Sequence, residues 1–285
     1  MISQTALLQK YGIQVKGDLG QHLLLDGNVV RKIVSALNPH IGQTVVEIGP
    51  GLGALTVELL KHGMTVIAIE KDPKFIKVLE EELLPEYPDT FHLIHEDVIK
   101  CNFREICEGF ESVQLVSNLP YYITTPILFK LIEEQPSFSE AVLMMQKEVT
   151  EKLSSPAGSF KYGRLAAAAS AVGRVEKLFM VSKGCFTPAP SVDSSVIRLH
   201  FKKDPIVDLE LMPEFHEFIK AAFSERRKTL VTLLLSQKGK KPDRLSMESF
   251  FTACDIDLKT RADQVAIEKL AALFLRIRRS GDVLK

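Results

Sequence analysis

Five short runs of the chain are apolar nearly throughout: TVVEIG, MTVIAIE, FHLIHED, VQLVSN and AVLMMQ. Between them lie GALTVELLKHG, DPKFIKVLEEELL and TPILFKLIEE, whose apolar residues recur at three- and four-residue steps, the spacing of a helix. A strand that is apolar on both sides has to be covered on both faces, which a parallel sheet with crossover helices achieves. The rhythm therefore predicts an α/β doubly wound sheet. RVEKLFMVS and SVIRLHF, joined by the proline-rich link FTPAPSVD, predict an antiparallel pair at the sheet edge. After FKKDPIVDLE the pattern is helical only, in EFHEFIKAAFSERRKTLVTLLL, MESFFTACD and QVAIEKLAALFLRI. Two domains are expected, residues 1–205 and 206–285.

With 46% hydrophobic and 25% charged residues the composition is ordinary for a globular protein. No run approaches the ~18 apolar residues that span a bilayer, and the amino terminus lacks the basic-then-apolar pattern of a secretion signal. A cytoplasmic protein without a membrane partner is the expectation. Cys101, Cys107, Cys185 and Cys254 have neither CxxC spacing nor a neighbouring histidine pair, so neither a metal site nor a disulfide framework is expected. The net charge is zero, yet basic residues concentrate late in the chain, including Arg226, Arg227 and Lys228, then Lys240 and Lys241. Such local clusters can hold phosphate; solvated helix faces are the alternative reading.

VVEIGPGLGALTVELL reads as strand, glycine turn and helix. Gly49, Gly51 and Gly53 permit left-handed backbone angles, and the turn delivers a ligand to a helix amino terminus. The second strand ends at Glu70, 21 positions after Gly49, where a carboxylate can accept from ribose hydroxyls. This layout serves dinucleotides and S-adenosyl-L-methionine (SAM) alike. Glu47 favours SAM, because a carboxylate at the strand tip repels pyrophosphate and attracts a sulfonium. Pro50 agrees, since it removes a backbone donor that phosphate would use. Asp97, closing the third strand, is placed to accept from an adenine amino group.

The fourth strand runs into NLPYYITTPI. An exocyclic adenine amine is a poor nucleophile because its lone pair is delocalised into the ring. Acceptors beside it, the Asn118 side-chain oxygen and the Leu119 carbonyl held extended by Pro120, stabilise the amine as it turns tetrahedral. Tyr121 offers a ring on which the base can stack.

EIGPGLG, Glu70, Asp97, NLPYYITTPI, MMQKEVTEKL, FTPAPSVDSSV and FSERRKTL together resemble the ribosomal RNA adenine N6,N6-dimethyltransferases, specifically the bacterial small-subunit, kasugamycin-resistance type. The resemblance runs from about Gly20 to the carboxyl-terminal helices. It implies a Rossmann-like SAM-dependent methyltransferase fold, a seven-stranded mostly parallel sheet with an antiparallel edge strand, plus a small all-α carboxyl-terminal domain. It implies SAM-dependent dimethylation of two adjacent adenosines in a 16S rRNA loop during ribosome assembly, by a monomer that needs no metal. Cofactor contacts carry over to His22, Leu24, Gly49, Glu70, Asp97 and Asn118, and catalytic positions to Asn118, Leu119, Pro120, Tyr121 and Phe186. Phe186 is expected to sandwich the target base opposite Tyr121. RNA backbone contacts fall on Arg226, Arg227, Lys228, Lys240 and Lys241, with Gln21, Lys147 and Glu148 near the mouth of the site. Where the family reads GQNFL this chain reads GQHLL, so His22 replaces an asparagine; each of its ring nitrogens can still make one hydrogen bond. The rivals are a large-subunit rRNA methyltransferase of the erythromycin-resistance type, a DNA adenine methyltransferase, a non-catalytic assembly or nucleic-acid-binding factor on the same fold, and a dinucleotide oxidoreductase.

Overall fold

A computed structural model describes residues 3–15, 21–134, 137–237 and 242–280. Seven strands form the central sheet: β1 (Thr44–Ile48), β2 (Thr65–Glu70), β3 (Phe91–His95), β4 (Val113–Asn118), β5 (Glu140–Gln146), β6 (Gly173–Val181) and β7 (Ser194–Phe201). Their order is β3-β2-β1-β4-β5-β7-β6, and β1 through β5 pair in parallel. β7 runs antiparallel to β5 and lies second from the edge, with β6 outermost. β1 is buried at every position, and β4 at all but its last. That burial is the reason those segments carry no polar alternation. β3 closes the other edge and is only partly buried, so its apolar run is shorter. A further two-residue ladder pairs Leu23 with Thr187 and Leu24 with Phe186.

The strands end in register. Ile48 faces Ile69 on one side and Ser117 on the other, while Glu70 faces His95 and Asn118 faces Met144. Gly49, Glu70 and Asn118 consequently emerge along one rim, the carboxyl edge of a parallel sheet, where ligands of such folds bind.

The chain divides into two compact units: residues 1–150 with 176–201, and residues 151–175 with 202–285. This division differs from the expected one at 205/206. Helix Arg164–Val172 packs on helices Met212–Ala222 and Ile267–Arg279, so it groups with the carboxyl-terminal helices. In that second unit Phe215, Phe218 and Phe274 meet at ring separations of 5.2 to 6.1 Å. The four cysteines are free thiols. No helix among the described residues is long and apolar enough to cross a membrane.

Candidate active site

The turn after β1 is built around three glycines at positive φ: Gly49 at 68°, Gly51 at 56° and Gly53 at 79°. Any other residue would be strained there, and a Cβ on Gly51 would come within 3.1 Å of Leu23 Cδ2. The Gly49 N–H donates to the Ile69 carbonyl at 2.9 Å, fixing the turn to β2. Glu70 locks it further. Its Oε2 accepts from the Gly51 N–H at 3.1 Å, and its Oε1 accepts from the N–H groups of Lys71 and Asp72 at 2.8 and 2.9 Å. Burial raises the Glu70 carboxyl above the usual range, and those backbone donors hold it down against that rise. Three bonds leave this carboxylate about one acceptor site. A ribose hydroxyl would use that site or displace a backbone donor.

Glu47 sits on the floor of the same cleft, 1% exposed, and accepts from Thr56 Oγ1 at 2.6 Å. Burial pushes its carboxyl up to about 8, and the neighbouring Glu70 adds to the rise.

β4 ends in the acceptor pair. Asn118 Nδ2 donates to the His22 carbonyl at 3.0 Å, which fixes the amide plane. Its Oδ1 has no hydrogen-bond partner among the described residues, and neither does the Leu119 carbonyl. The Leu119 N–H donates to the Met144 carbonyl at 2.9 Å, so the peptide is anchored to β5. The Pro120 carbonyl is engaged differently, accepting from the Ile123 N–H and from Thr124 Oγ1. The tip of β4 thus carries two oxygens, on adjacent residues, that have no partner among the described residues.

Tyr121 is held at both ends. Its hydroxyl bonds Ser194 Oγ at 2.6 Å, and its ring lies 5.0 Å from the His22 ring, tilted by 36°. His22 Nδ1 donates to the Pro188 carbonyl at 2.7 Å. Because a carbonyl only accepts, this bond places a proton on Nδ1.

His22, Leu24, Gly49, Glu70, Asn118, Leu119, Pro120 and Tyr121 thus line one cleft, as does Gln21. Two expected members do not. Asp97 caps its own turn, accepting from the Ile99 N–H at 3.0 Å, and pairs with Lys71 at 2.8 Å. That ion pair and the backbone bond hold its carboxyl below the usual range. Phe186 is 4% exposed and belongs to the buried core cluster that also holds Leu24, Val181 and Val196. Its register opposite Leu24 in the two-residue ladder turns it inward. Lys147 and Glu148, at the head of helix Lys147–Leu153, are not part of the cleft lining.

Tyr122 went unassigned in the sequence; it lines the cleft and is 60% exposed. The doubled tyrosine was its only signal. Gln4 was also missed: it reaches the cleft from the helix Gln4–Lys10 and bonds the Leu24 carbonyl at 2.7 Å. Arg226, Arg227 and Lys228 are exposed in the second unit. Lys240 and Lys241 lie outside the described residues.

The donor set discriminates between ligands. Among the described residues the cleft lining holds two carboxyls, Glu47 and Glu70, and no lysine or arginine. A sulfonium or ammonium would meet carboxyls on the floor and rim, and a pyrophosphate would find no cationic side chain among the described lining residues. SAM fits this lining. Among the described residues no cluster of His, Cys, Asp or Glu could hold a metal.

Comparison with known proteins agrees with this chemistry. The chain is 41% identical over 274 residues to a "Ribosomal RNA small subunit methyltransferase A" of Bacillus cytotoxicus, covering 94% of this chain and 92% of that one. A protein of the same name from Bacillus mycoides is 39% identical over 272 residues, with the same coverage. Among solved structures, a dimethyladenosine transferase from Plasmodium falciparum superimposes with a TM-score of 0.74 at 26% identity, over 93% of this chain and 100% of that one. The 23S rRNA methyltransferase ErmE shares the fold, with a TM-score of 0.66 at 23% identity over 90% of this chain and 99% of that one. The model of the ribosomal RNA adenine dimethylases matches residues 12–279, and with the glycine turn, the carboxyl-lined cleft and the acceptor pair at the tip of β4 the chain belongs to that family of SAM-dependent methyltransferases.

Proposed function

We propose that this chain transfers methyl groups from SAM to the N6 amines of two adjacent adenosines in a loop of the small-subunit rRNA, in the cytoplasm and during ribosome assembly. The observation that carries the reading is the pair of unspent acceptors, Asn118 Oδ1 and the Leu119 carbonyl, both fixed by bonds on their other side. An amine placed against both keeps its two hydrogens directed at oxygen, and its lone pair points away from them. That is the geometry an in-line displacement needs, and preorganised acceptors of this kind are worth ~10² or more in rate.

SAM supplies an electrophilic methyl group bound to a positively charged sulfur. Gly49, Glu70 and Leu24 are the residues we assign to hold it, with Glu47 beneath, a carboxyl that a bound cation would draw toward its ionised form. Tyr121 is assigned to the base, its ring kept in place by Ser194 and His22. A base inside a duplex could not reach such a cleft, which favours a loop substrate. The helical unit holding Arg226, Arg227 and Lys228 is assigned to the RNA backbone. The names of the Bacillus relatives support the small subunit over the large.

The test is incubation with labelled SAM and small ribosomal subunits lacking the modification, followed by mapping of the labelled base. Label in a pair of adjacent adenines is expected. Label confined to large-subunit RNA, or to DNA, would overturn the assignment.

A further inference from the structure

Phe160 is 85% exposed, yet its ring is not loose. The guanidinium of Arg226 lies over it, 4.6 Å from the ring centroid, and donates to the Phe160 carbonyl. Arg226 is steadied in turn by Asp263 at 3.4 Å. The loop is tied down on either side of the ring: the Gly158 N–H donates to the Asp263 carbonyl at 2.7 Å, and the Tyr162 N–H to the Ser159 carbonyl at 3.1 Å. Tyr162 then packs edge-on against Phe223, with 5.8 Å between centroids.

A single exposed phenylalanine calls for no explanation on its own. One fixed on an anchored turn, with a cation over it, is another matter. The contact with Arg226 restrains the ring and the loop ties restrain its backbone, so a planar partner stacking on it loses less entropy than on an unbraced side chain. Its surroundings are cationic. Lys161, Arg164, Arg226, Arg227 and Lys228 lie on the same loop and on the elements around the small cleft beside it. The nearby acids are fewer and engaged: Glu151 by Lys161, Asp263 by Arg226, and Glu225 by Lys228. Arg227 is exposed and has no ion pair among the described residues.

We propose that Phe160, braced by Arg226, is a stacking platform for an unpaired base of the RNA substrate, with the adjoining phosphate held by Arg227 and Lys228. It is a second RNA contact, distinct from the base-binding cleft at the tip of β4, and it rests on the proposed RNA substrate. An aromatic ring beside an arginine would also suit a protein partner. The surplus of cations favours RNA, which brings a phosphate with every base.

The experiment compares wild type, F160A and F160W for binding to an RNA hairpin carrying 2-aminopurine in its loop, and to a blunt duplex of equal length. F160A should weaken hairpin binding about five- to a hundredfold, the worth of one stacked base. The salt dependence should stay the same, the 2-aminopurine signal change on binding should be lost, and duplex binding should be unaffected. F160W should restore the hairpin affinity. Equal melting temperatures for the three proteins would exclude a folding effect. Unchanged hairpin affinity in F160A, or no rescue by F160W, overturns the platform. So does F160A that binds hairpin normally but associates poorly with the protein-containing small subunit, since the partner would then be protein. Failure of wild type to methylate small subunits would sink the functional assignment instead, and so is a separate outcome.

Discussion

The side-chain amide of Asn118 donates to the backbone carbonyl of His22 at 3.0 Å, joining the tip of β4 to the segment that covers it. Since the acceptor is main chain, this bond does not depend on which side chain occupies position 22. Histidine at position 22 therefore leaves the acceptor pair undisturbed. The bond also holds Asn118 Oδ1 in one orientation.

Asn118→Ala removes one acceptor outright and frees the segment above it. Methyl transfer should fall by ~10² or more, the usual loss when a preorganised polar contact to the reacting group is deleted. RNA affinity should be unchanged, and stability should drop by only about 1 kcal/mol for the lost bond. Single-turnover transfer, filter binding and thermal melting read the three quantities. Near wild-type transfer would remove Asn118 from the chemistry.

His22→Asn should leave SAM affinity within a few-fold of wild type, or improve it. The asparagine amide can donate to the Pro188 carbonyl in place of Nδ1, a neutral exchange worth ~1 kcal/mol at most. Calorimetric titration with SAM measures it. A loss of tenfold or more would give the imidazole its own role, most directly through its contact with the Tyr121 ring.

The sheet and the glycine turn were legible because burial forces their sequence. β1 has no exposed position, so it cannot afford polar alternation, and the turn angles at Gly49, Gly51 and Gly53 leave little choice of residue. What was not legible depends on partners far along the chain. Helix Arg164–Val172 is alanine-rich with six of its nine residues buried, so it shows no amphipathic stripe to announce that it packs with the carboxyl-terminal helices. The ladder of Leu23–Leu24 with Phe186–Thr187 is too short for any period to register. Asp97 was expected at the cofactor from its place after a strand; the Asx turn it makes with Ile99 and its ion pair with Lys71 depend on neighbours that the strand pattern does not announce.

Glu47 sets a pH dependence. Its carboxyl is raised from 4.5 to about 8 in the folded chain, so between those values the folded state carries a proton that the unfolded state has lost. Stability must then fall as pH rises through that window, by at most ~1.4 kcal/mol per pH unit. Glu47→Gln keeps an oxygen for Thr56 and cannot ionise. The variant should show a flatter stability profile between pH 6 and pH 8 and should exceed wild type at the alkaline end. SAM affinity should rise with pH over the same range in wild type, because a cation in the cleft favours the ionised carboxyl, and should stay level in the variant. Urea unfolding and SAM titration at several pH values test both. Parallel profiles for the two proteins would show that Glu47 is ionised in the folded state.

Phe186 offers a sharp choice between packing and catalysis. As a core side chain, its replacement by alanine should destabilise the protein by about 3–5 kcal/mol, the cost of deleting a buried phenylalanine and leaving a cavity. Phe186→Leu fills most of that space and should recover much of the loss while offering no aromatic face. If the side chain only packs, the leucine variant transfers methyl groups at nearly the wild-type rate at a temperature where it is folded. If the ring turns out of the core to meet the base, Phe186→Leu loses transfer far beyond its loss of stability, and Phe186→Tyr retains it. Melting curves and transfer rates on the same three variants separate these outcomes. The burial of Phe186, in register with Leu24 and within the core cluster, favours the first.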